Sequence, residues 1–307
     1  MGRFVARRLL LTIPVLIGAS FLIFAMVYAL PGDPIRALAG DRPLSAAVQA
    51  QLRDDYNLDD PLWLQYGKYV GGLVQGDFGT DFSGRPVWDT IEQRLPVTAK
   101  LAAAAVLFEA VIGLLAGILA GIRRGSWFDN VVLISTTLIV SVPVFVLGFI
   151  AQYLFGLKWG LFPTSGINDG WYSYLLPGLV LASLSLAYVA RLTRTSLADN
   201  LQADYVRTAR AKGLKPSVII GKHTLRNSLI PVVTYIGADI GALMGGAIVT
   251  ESIFNIPGLG RAVYDAVLRQ EGSVVVGIVT LFVFFYIFFN LVVDVLYALL
   301  DPRIRYD

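Results

Sequence analysis

Residues 9–30 read LLLTIPVLIGASFLIFAMVYAL, with no charged side chain, and Arg3, Arg7 and Arg8 stand just before them. A membrane-spanning helix needs about 20 mostly apolar residues. A secretory signal would have an apolar core of about 7–15 residues followed by a small-residue cleavage site. This run is longer and ends in Leu30-Pro31-Gly32-Asp33, a poor cleavage site. It reads as a retained membrane helix.

The same pattern recurs along the chain. Further spans are predicted over Leu101–Ile122 with Glu109 inside, Val131–Leu157 without charge, and Trp171–Ala190. Two more cover Leu229–Thr250 with Asp239 inside and Val274–Leu300 with Asp294 inside. These runs are long and continuous, whereas a membrane barrel shows alternating segments of about 10 residues. The fold class is therefore an all-α polytopic membrane protein with six transmembrane helices. Composition agrees: of 307 residues, 56% are hydrophobic and 15% charged, with mean hydropathy +0.66. A soluble domain carries roughly 25% charged residues. There is no cysteine and a single histidine, His223, which removes thiolate sites and makes a His-based metal centre improbable.

Lys and Arg orient the bundle. With both termini in the cytoplasm, the inner segments hold fifteen of the 25 basic residues, eight of them between Arg191 and Arg226. The outer ten are diluted by acids, ten of which lie between Asp33 and Glu92. Short basic inner loops give N-in, C-in. Topology accounts for the net charge of +3, so nucleic acid is not called for. Residues 1–30 then form the N-terminal stretch and first helix, 31–97 an external lobe, and 98–307 the core with a cytoplasmic loop at 193–228.

Acids at membrane depth are costly and usually functional. Glu109 shares a face with Gly113, Gly117 and Gly121, the small-residue face that packs closely on a neighbour. A structural Glu, protonated or hydrogen-bonded, is the alternative. Asp239 lies about 200° round its helix from Gly237, Gly241 and Gly245, which would direct it toward a pathway if that stripe packs. Asp294 shares a face with Tyr286, Asn290 and Tyr297, consistent with a structural polar network. Paired carboxylates on one helix, a Ser–His–Asp set and HExxH are all absent, so no catalytic residue is assigned.

The loop between the fourth and fifth spans carries the sharpest local signal. Asp204–Leu214 reads as a short helix ending at Gly213, where glycine tolerates the left-handed conformation. Pro216 suits the first turn of a second helix, expected over Pro216–Arg226 and leading into the fifth span. Ala209, Ala211 and Gly213 would let another protein approach closely. A basic amphipathic loop resting on anionic lipid is the alternative.

At these residues the chain resembles a known family. Tyr205-Val206-Arg207-Thr208-Ala209-Arg210-Ala211-Lys212-Gly213-Leu214, with Leu225-Arg226-Asn227-Ser228-Leu229-Ile230-Pro231, looks like the EAA loop of ABC-importer permeases. More narrowly it is similar to the dipeptide/oligopeptide branch. Leu58-Asp59-Asp60-Pro61-Leu62, Gln65-Tyr66, Gly76-Asp77-Phe78-Gly79 and Arg94-Leu95-Pro96 follow in that branch's order. So do Glu251-Ser252-Ile253-Phe254-Asn255-Ile256-Pro257-Gly258-Leu259-Gly260 and the ending Asp301-Pro302-Arg303-Ile304-Arg305. The large outer segment resembles the B-type member of the permease pair. The general consensus opens Glu-Ala-Ala where this chain has Arg207-Thr208-Ala209, and Pro231 falls later than the usual proline. Both departures resemble the peptide branch.

The resemblance implies an elbow, Tyr205, Ala209, Arg210, Lys212, Gly213 and Leu214, that fits a groove on a separate ATPase. It implies a second permease, two ATPase subunits carrying ATP and Mg, an extracytoplasmic substrate-binding protein, a lipid surround and no cofactor in this chain. It also implies a multi-pass protein of the inner membrane and peptide transport. A phosphate loop needs Gly, four residues, then Gly-Lys-Ser/Thr. The nearest approach, Gly221-Lys222-His223, has Pro216 and His223 at the decisive positions. Glu109, Asp239, Glu251 and Asn255 are pathway candidates. Asp59, Asp60 and Trp63, on an aromatic-rich lobe, are candidates for docking the binding protein. The competing reading is a proton-coupled secondary transporter acting alone.

Overall fold

The computed structural model describes residues 2–28, 45–55, 57 and 59–300. Leu30–Asp33, Leu58 and the Asp301–Arg305 ending lie outside the described residues. Eleven helical segments are defined among the described residues. They are α1 (Gly2–Tyr28), α2 (Ala46–Asp55), α3 (Leu62–Val74), α4 (Val87–Ile122), α5 (Trp127–Ser141) and α6 (Val144–Lys158). Then come α7 (Gly170–Asn200), α8 (Asp204–Ala211), α9 (Pro216–Ile253), α10 (Leu259–Leu268) and α11 (Gly272–Leu300). Among the described residues only an isolated bridge, Thr80 to Pro86, departs from helix and loop. In hydrocarbon a helix satisfies its own backbone groups, which is why the apolar runs settle into this form.

Five helices, α1, α4, α7, α9 and α11, are long and apolar enough to cross a membrane. The third predicted span differs. It is a bent pair, α5 and α6, meeting at 105°. Pro143 has no N–H, and its ring pushes the preceding residue out of the helical region. Val142 accordingly sits at φ −105°, ψ 128°. Spans four and five are longer than expected, because α7 runs on to Asn200 and α9 starts at Pro216.

The centre of the bundle is α4 against α7 and α9. A Cβ on Gly117 would stand 2.5 Å from the Ala190 carbonyl oxygen and 2.5 Å from Thr193 Cβ. On Gly121 it would meet the Arg194 carbonyl at 3.0 Å, and on Gly113 a Val189 methyl at 2.9 Å. The expected small-residue face thus packs on α7, backbone to backbone. A second seam joins α9 to α11, where a Cβ on Gly241 would lie 2.6 Å from Tyr286 Cα. The core over these seams holds Leu101, Ala105, Val180, Ala182, Ala247, Phe254 and Ile256.

Two ion pairs fasten the outer helices. Arg194 on α7 grips Asp129 on α5, with Nε–Oδ1 2.5 Å and Nη2–Oδ2 2.7 Å. The Gly125 amide donates to the same carboxylate at 2.8 Å. Asp294, which the spacing placed on a face with Tyr286, Asn290 and Tyr297, takes part in the second pair. Arg8 of α1 reaches it at 3.0 Å, while the Asn290 amide donates to the Tyr286 carbonyl. The cation on a neighbouring helix offers the carboxylate more than a neutral neighbour one turn away.

Because the α4–α7 contact has no room for a side chain, Gly117→Val should destabilise the protein by about 1–3 kcal/mol, the usual cost of overpacking. Gly18→Ala on α1 is the control, since nothing lies within 4 Å of its Cβ position. Thermal unfolding of the detergent-purified protein reads the difference; equal midpoints for the two variants would contradict the seam.

Candidate coupling elbow and membrane carboxyls

The elbow is built as the glycine and proline positions dictate. Helix α8 closes with two reversed hydrogen bonds, Leu214 N–H to the Ala209 carbonyl at 3.3 Å and Gly213 N–H to Arg210 at 2.9 Å. This pairing is the Schellman arrangement, which requires a left-handed residue, and Gly213 has φ +74°. Lys215 is extended, and Pro216 opens α9 with its missing N–H at a position that needs none. The second elbow helix does not stop at Arg226. It continues through a π-helical stretch, Ile219–Thr224, into the fifth span as one rod ending at Ile253.

The elbow has an inner and an outer face. Val206, Ala209 and Ile219 are buried together. Ala209 therefore faces inward, contrary to the sequence expectation of an outward small residue. In a helix of this length Val206 and Ala209 stand three positions apart on one face, and that is the face closed onto α9. Tyr205, Arg210, Lys212, Gly213 and Leu214 are exposed. The Tyr205 hydroxyl donates to Asn200 Oδ1 at 2.7 Å, holding the entry to α8. At its base Ser196 on α7 donates to the Ser228 carbonyl at 2.9 Å, and Ser228 reaches back to the Ser196 carbonyl at 3.4 Å.

Of the membrane acids, Glu109 and Asp239 come together. Glu109 opens a π-helical stretch, Glu109–Gly113, and is fully buried. From that turn Glu109 reaches Asp239 on α9. Ser185 and Tyr235 complete the cluster. The two carboxyls lie within hydrogen-bonding reach of each other, and Ser185 reaches Asp239; no hydroxyl or amide donates to either Glu109 oxygen or to Asp239 Oδ2. The Gly237/Gly241 face packs on α11, so Asp239 points the other way, as expected from its angular position.

Glu251 is used differently. It is fully buried, accepts from Thr98 Oγ1 at 2.7 Å, and accepts from the Arg261 amide at 2.9 Å. Thr98 Oγ1 in turn accepts from the Leu259 amide at 2.8 Å. Together they close the amino end of α10, where free amides and the helix dipole favour a carboxylate. A Cβ on Gly258 would fall 2.3 Å from Glu251 Oε1, and one on Gly260 2.6 Å from Ile248 Cα. That accounts for both glycines of the Asn255–Gly260 stretch. Asn255 is left-handed, φ 51°, and its Oδ1 accepts from Arg261 Nη1 at 2.5 Å. So Glu251 and Asn255 hold the α9–α10 turn.

In the outer segment, Trp63 is 71% exposed, while Asp59 is paired with Arg53 at 3.4 Å and Asp60 with Lys68 at 2.6 Å. The acidic rim is partly neutralised by its own neighbours. The other aromatics of α3 turn inward. The Tyr66 hydroxyl bonds to the Ile17 carbonyl at 2.9 Å, and its ring meets Phe21 edge-on. Tyr69 donates to Thr280 Oγ1 at 3.0 Å, and burial pushes its phenol up to about 12, so it stays a donor. Sequence reasoning missed Thr98, Ser185, Tyr235 and the Asp129–Arg194 pair. Each matters through a partner far along the chain, which no local pattern discloses.

A family model described as "Binding-protein-dependent transport system inner membrane component" matches residues 113–306, and its N-terminal companion matches residues 1–102. The chain belongs to this family, as a permease subunit of an ATP-binding-cassette importer. Along its full length this permease is 42% identical to the glutathione transport system permease protein GsiC of Escherichia coli, and the match covers all of that protein. It is 39% identical over its full length to the dipeptide transport system permease protein DppB of Escherichia coli, covering 99% of it. The di/tripeptide permease DppB of Pseudomonas aeruginosa is equally similar, at 39% with both chains covered. In fold the permease resembles a chain of the MetNI methionine ABC transporter in an inward-facing form. That likeness has TM-score 0.58 at 18% identity, covering 69% of this chain and 96% of that one.

Glu251→Ala leaves the amides of α10 and the Thr98 hydroxyl unsatisfied, at about 1–3 kcal/mol per buried group. A cysteine placed at Ala262, 6% exposed in the native fold, should react slowly with a thiol reagent and quickly once Glu251→Ala is added. Unchanged slow labelling would mean that α10 is held by other contacts.

Proposed function

We propose that this permease pairs with a second, similar permease to form a pathway for short peptides and peptide-like cargo. Two separate ATPase subunits, holding ATP and Mg, drive it through the α8 elbow, and an extracytoplasmic substrate-binding protein feeds it. The observation that carries this reading is the elbow: five exposed residues on a glycine-set turn, joined to a membrane helix that is one rod from Pro216 to Ile253. A push on such a turn is passed along one continuous helix into the bundle. Full-length similarity to permeases named for dipeptides, di/tripeptides and glutathione supports the cargo class.

The chain has no ATP site of its own in this reading. The one partial match to a phosphate loop, Gly221-Lys222-His223, is wound into helix, where its amides cannot cradle phosphate. The basic bias of the loops supports an elbow and both termini in the cytoplasm. Exposed Leu10, Leu22 and Met26 on α1 suit contact with lipid. Trp63 and the Asp59–Asp60 edge form the docking surface for the binding protein.

The elbow gives the direct test. A Cβ at Gly213 meets nothing within 4 Å in this chain, so only the left-handed backbone and the partner oppose a side chain there. Gly213→Glu should leave the permease in the membrane, abolish ATP-driven uptake and loosen the ATPase. Gly213→Asn, which tolerates the left-handed region with a short side chain, should retain most uptake. Uptake in proteoliposomes with ATP should also survive collapse of the proton gradient. Loss on collapse would favour the proton-coupled carrier.

Docking is tested separately. Asp59→Lys with Asp60→Lys, and Trp63→Ala, should each weaken the stimulation of ATPase activity by the binding protein while leaving basal ATPase intact. Full stimulation in both variants would move the docking surface elsewhere.

A further inference from the structure

A cavity of about 320 Å3 lies between α1, α3 and α11, at the end of the bundle opposite the elbow. Tyr28 closes the span of α1 and Gly272 opens that of α11. The cavity therefore stands where hydrocarbon gives way to water. α1 and α11 touch at this end, because a Cβ on Gly272 would meet a Val27 methyl at 2.9 Å. The Tyr28 hydroxyl lies 3.3 Å from Ser273 Oγ. Aromatic rings wall the space: Phe24 stacks on Tyr28 at 4.4 Å and stands 5.6 Å from Tyr69.

Two opposite charges line the cavity, Lys68 and Asp77, both exposed. Asp77 Oδ1 accepts the Gly79 amide at 2.8 Å, and no cation pairs with this carboxylate among the described residues. Its Oδ2 lies 3.8 Å from the position of a Cβ on Gly72. Gly72 is one turn beyond Lys68 on α3, and residues four apart share a face. The two charges are thus staged about one turn apart along α3, roughly 5.4 Å, and Gly72 puts no side chain in the gap. Lys68 Nζ bonds to Asp60 Oδ2 at 2.6 Å and to Asn57 Oδ1. An ammonium has three donors, so one remains for a guest.

This pattern selects among ligands. A simple anion would meet Asp77, and Asp60 already offsets the charge of Lys68. A metal ion would find no cluster of acids or His among the described residues. A short zwitterion suits both charges. Its ammonium meets Asp77 and the negative faces of the rings, while its anion meets Lys68. Ethanolamine phosphate, with two carbons between nitrogen and phosphate oxygen, has this form. A place at the ends of two spans lets acyl chains continue into hydrocarbon, and aromatic side chains favour that level.

We propose that this cavity holds the head group of a phospholipid carrying both an ammonium and a phosphate, of the phosphatidylethanolamine type. α1 is the least buried of the five long spans, and helices in lipid gain little from apolar contact alone. A head group set among α1, α3, the Asp77–Gly79 loop and Ser273 fastens α1 to the bundle at that end. The site is independent of the cargo.

Native mass spectrometry of the full complex in detergent provides the test. The wild type should retain one phosphatidylethanolamine that an equal amount of phosphatidylglycerol with the same chains does not displace. Asp77→Asn keeps an oxygen for the Gly79 amide and loses the charge. It should weaken that retention about tenfold, the loss of one charge-assisted hydrogen bond. Gly72→Leu fills the gap and alters no charge; it should weaken retention as well, and it serves if Asp77→Asn does not assemble. Glycerophosphoethanolamine, the head group without chains, and dialanine are the soluble competitors. Displacement of the lipid by either at equal concentration makes the occupant a free zwitterion and overturns the lipid. Equal retention of the two phospholipids, or retention unchanged in both variants, overturns the site.

Discussion

The carbonyls of Ala190 and Arg194 on α7 occupy the space where a side chain on Gly117 or Gly121 of α4 would begin. In a membrane, helices gain little by hiding apolar surface from one another, because lipid is equally apolar. Association comes from close van der Waals packing and interhelical polar contacts. The α4–α7 seam supplies the first of these. It draws α7 into the centre of the bundle, and α9 packs against the pair. With α4, α7 and α9 fixed, Thr98 meets Glu251, Ser196 meets Ser228, and Glu109 meets Asp239.

Buried charge is handled in three ways within this one scaffold. Asp129 is neutralised by a bidentate guanidinium from Arg194, the strongest geometry for a carboxylate. Glu251 is held by a hydroxyl and the amide end of α10, which keeps a short helix and its turn in register. Glu109 and Asp239 have neither arrangement.

The elbow and one member of the carboxyl pair share a single helix. α9 carries both Pro216 at the turn and Asp239 deep in the bundle. Its π-helical start, Ile219–Thr224, lies between them. A short α8 packs on Ile219 through Val206 and Ala209, which fastens the elbow to the start of that helix. The glycine at 213 sets the angle of the turn.

Much of the architecture is legible in the sequence itself. Uncharged runs of about 20 residues dictate spanning helices because hydrocarbon leaves no other home for backbone amides. The Gly213–Pro216 turn was legible because both residues have narrow backbone preferences, and the spacing of Gly113, Gly117 and Gly121 marked a packing face. Several features were not legible. The 105° bend followed from Pro143 within an otherwise uniform apolar run. The inward turn of Ala209, the Arg8–Asp294 pair and the capping role of Glu251 depend on partners on other helices. Local chemistry along one chain is what sequence by itself determined here: which segments are helical, where they turn, and which face is small. Which buried carboxyl meets a cation, an amide or another carboxyl was decided only by tertiary structure, because that depends on the rotation of each helix against its neighbours.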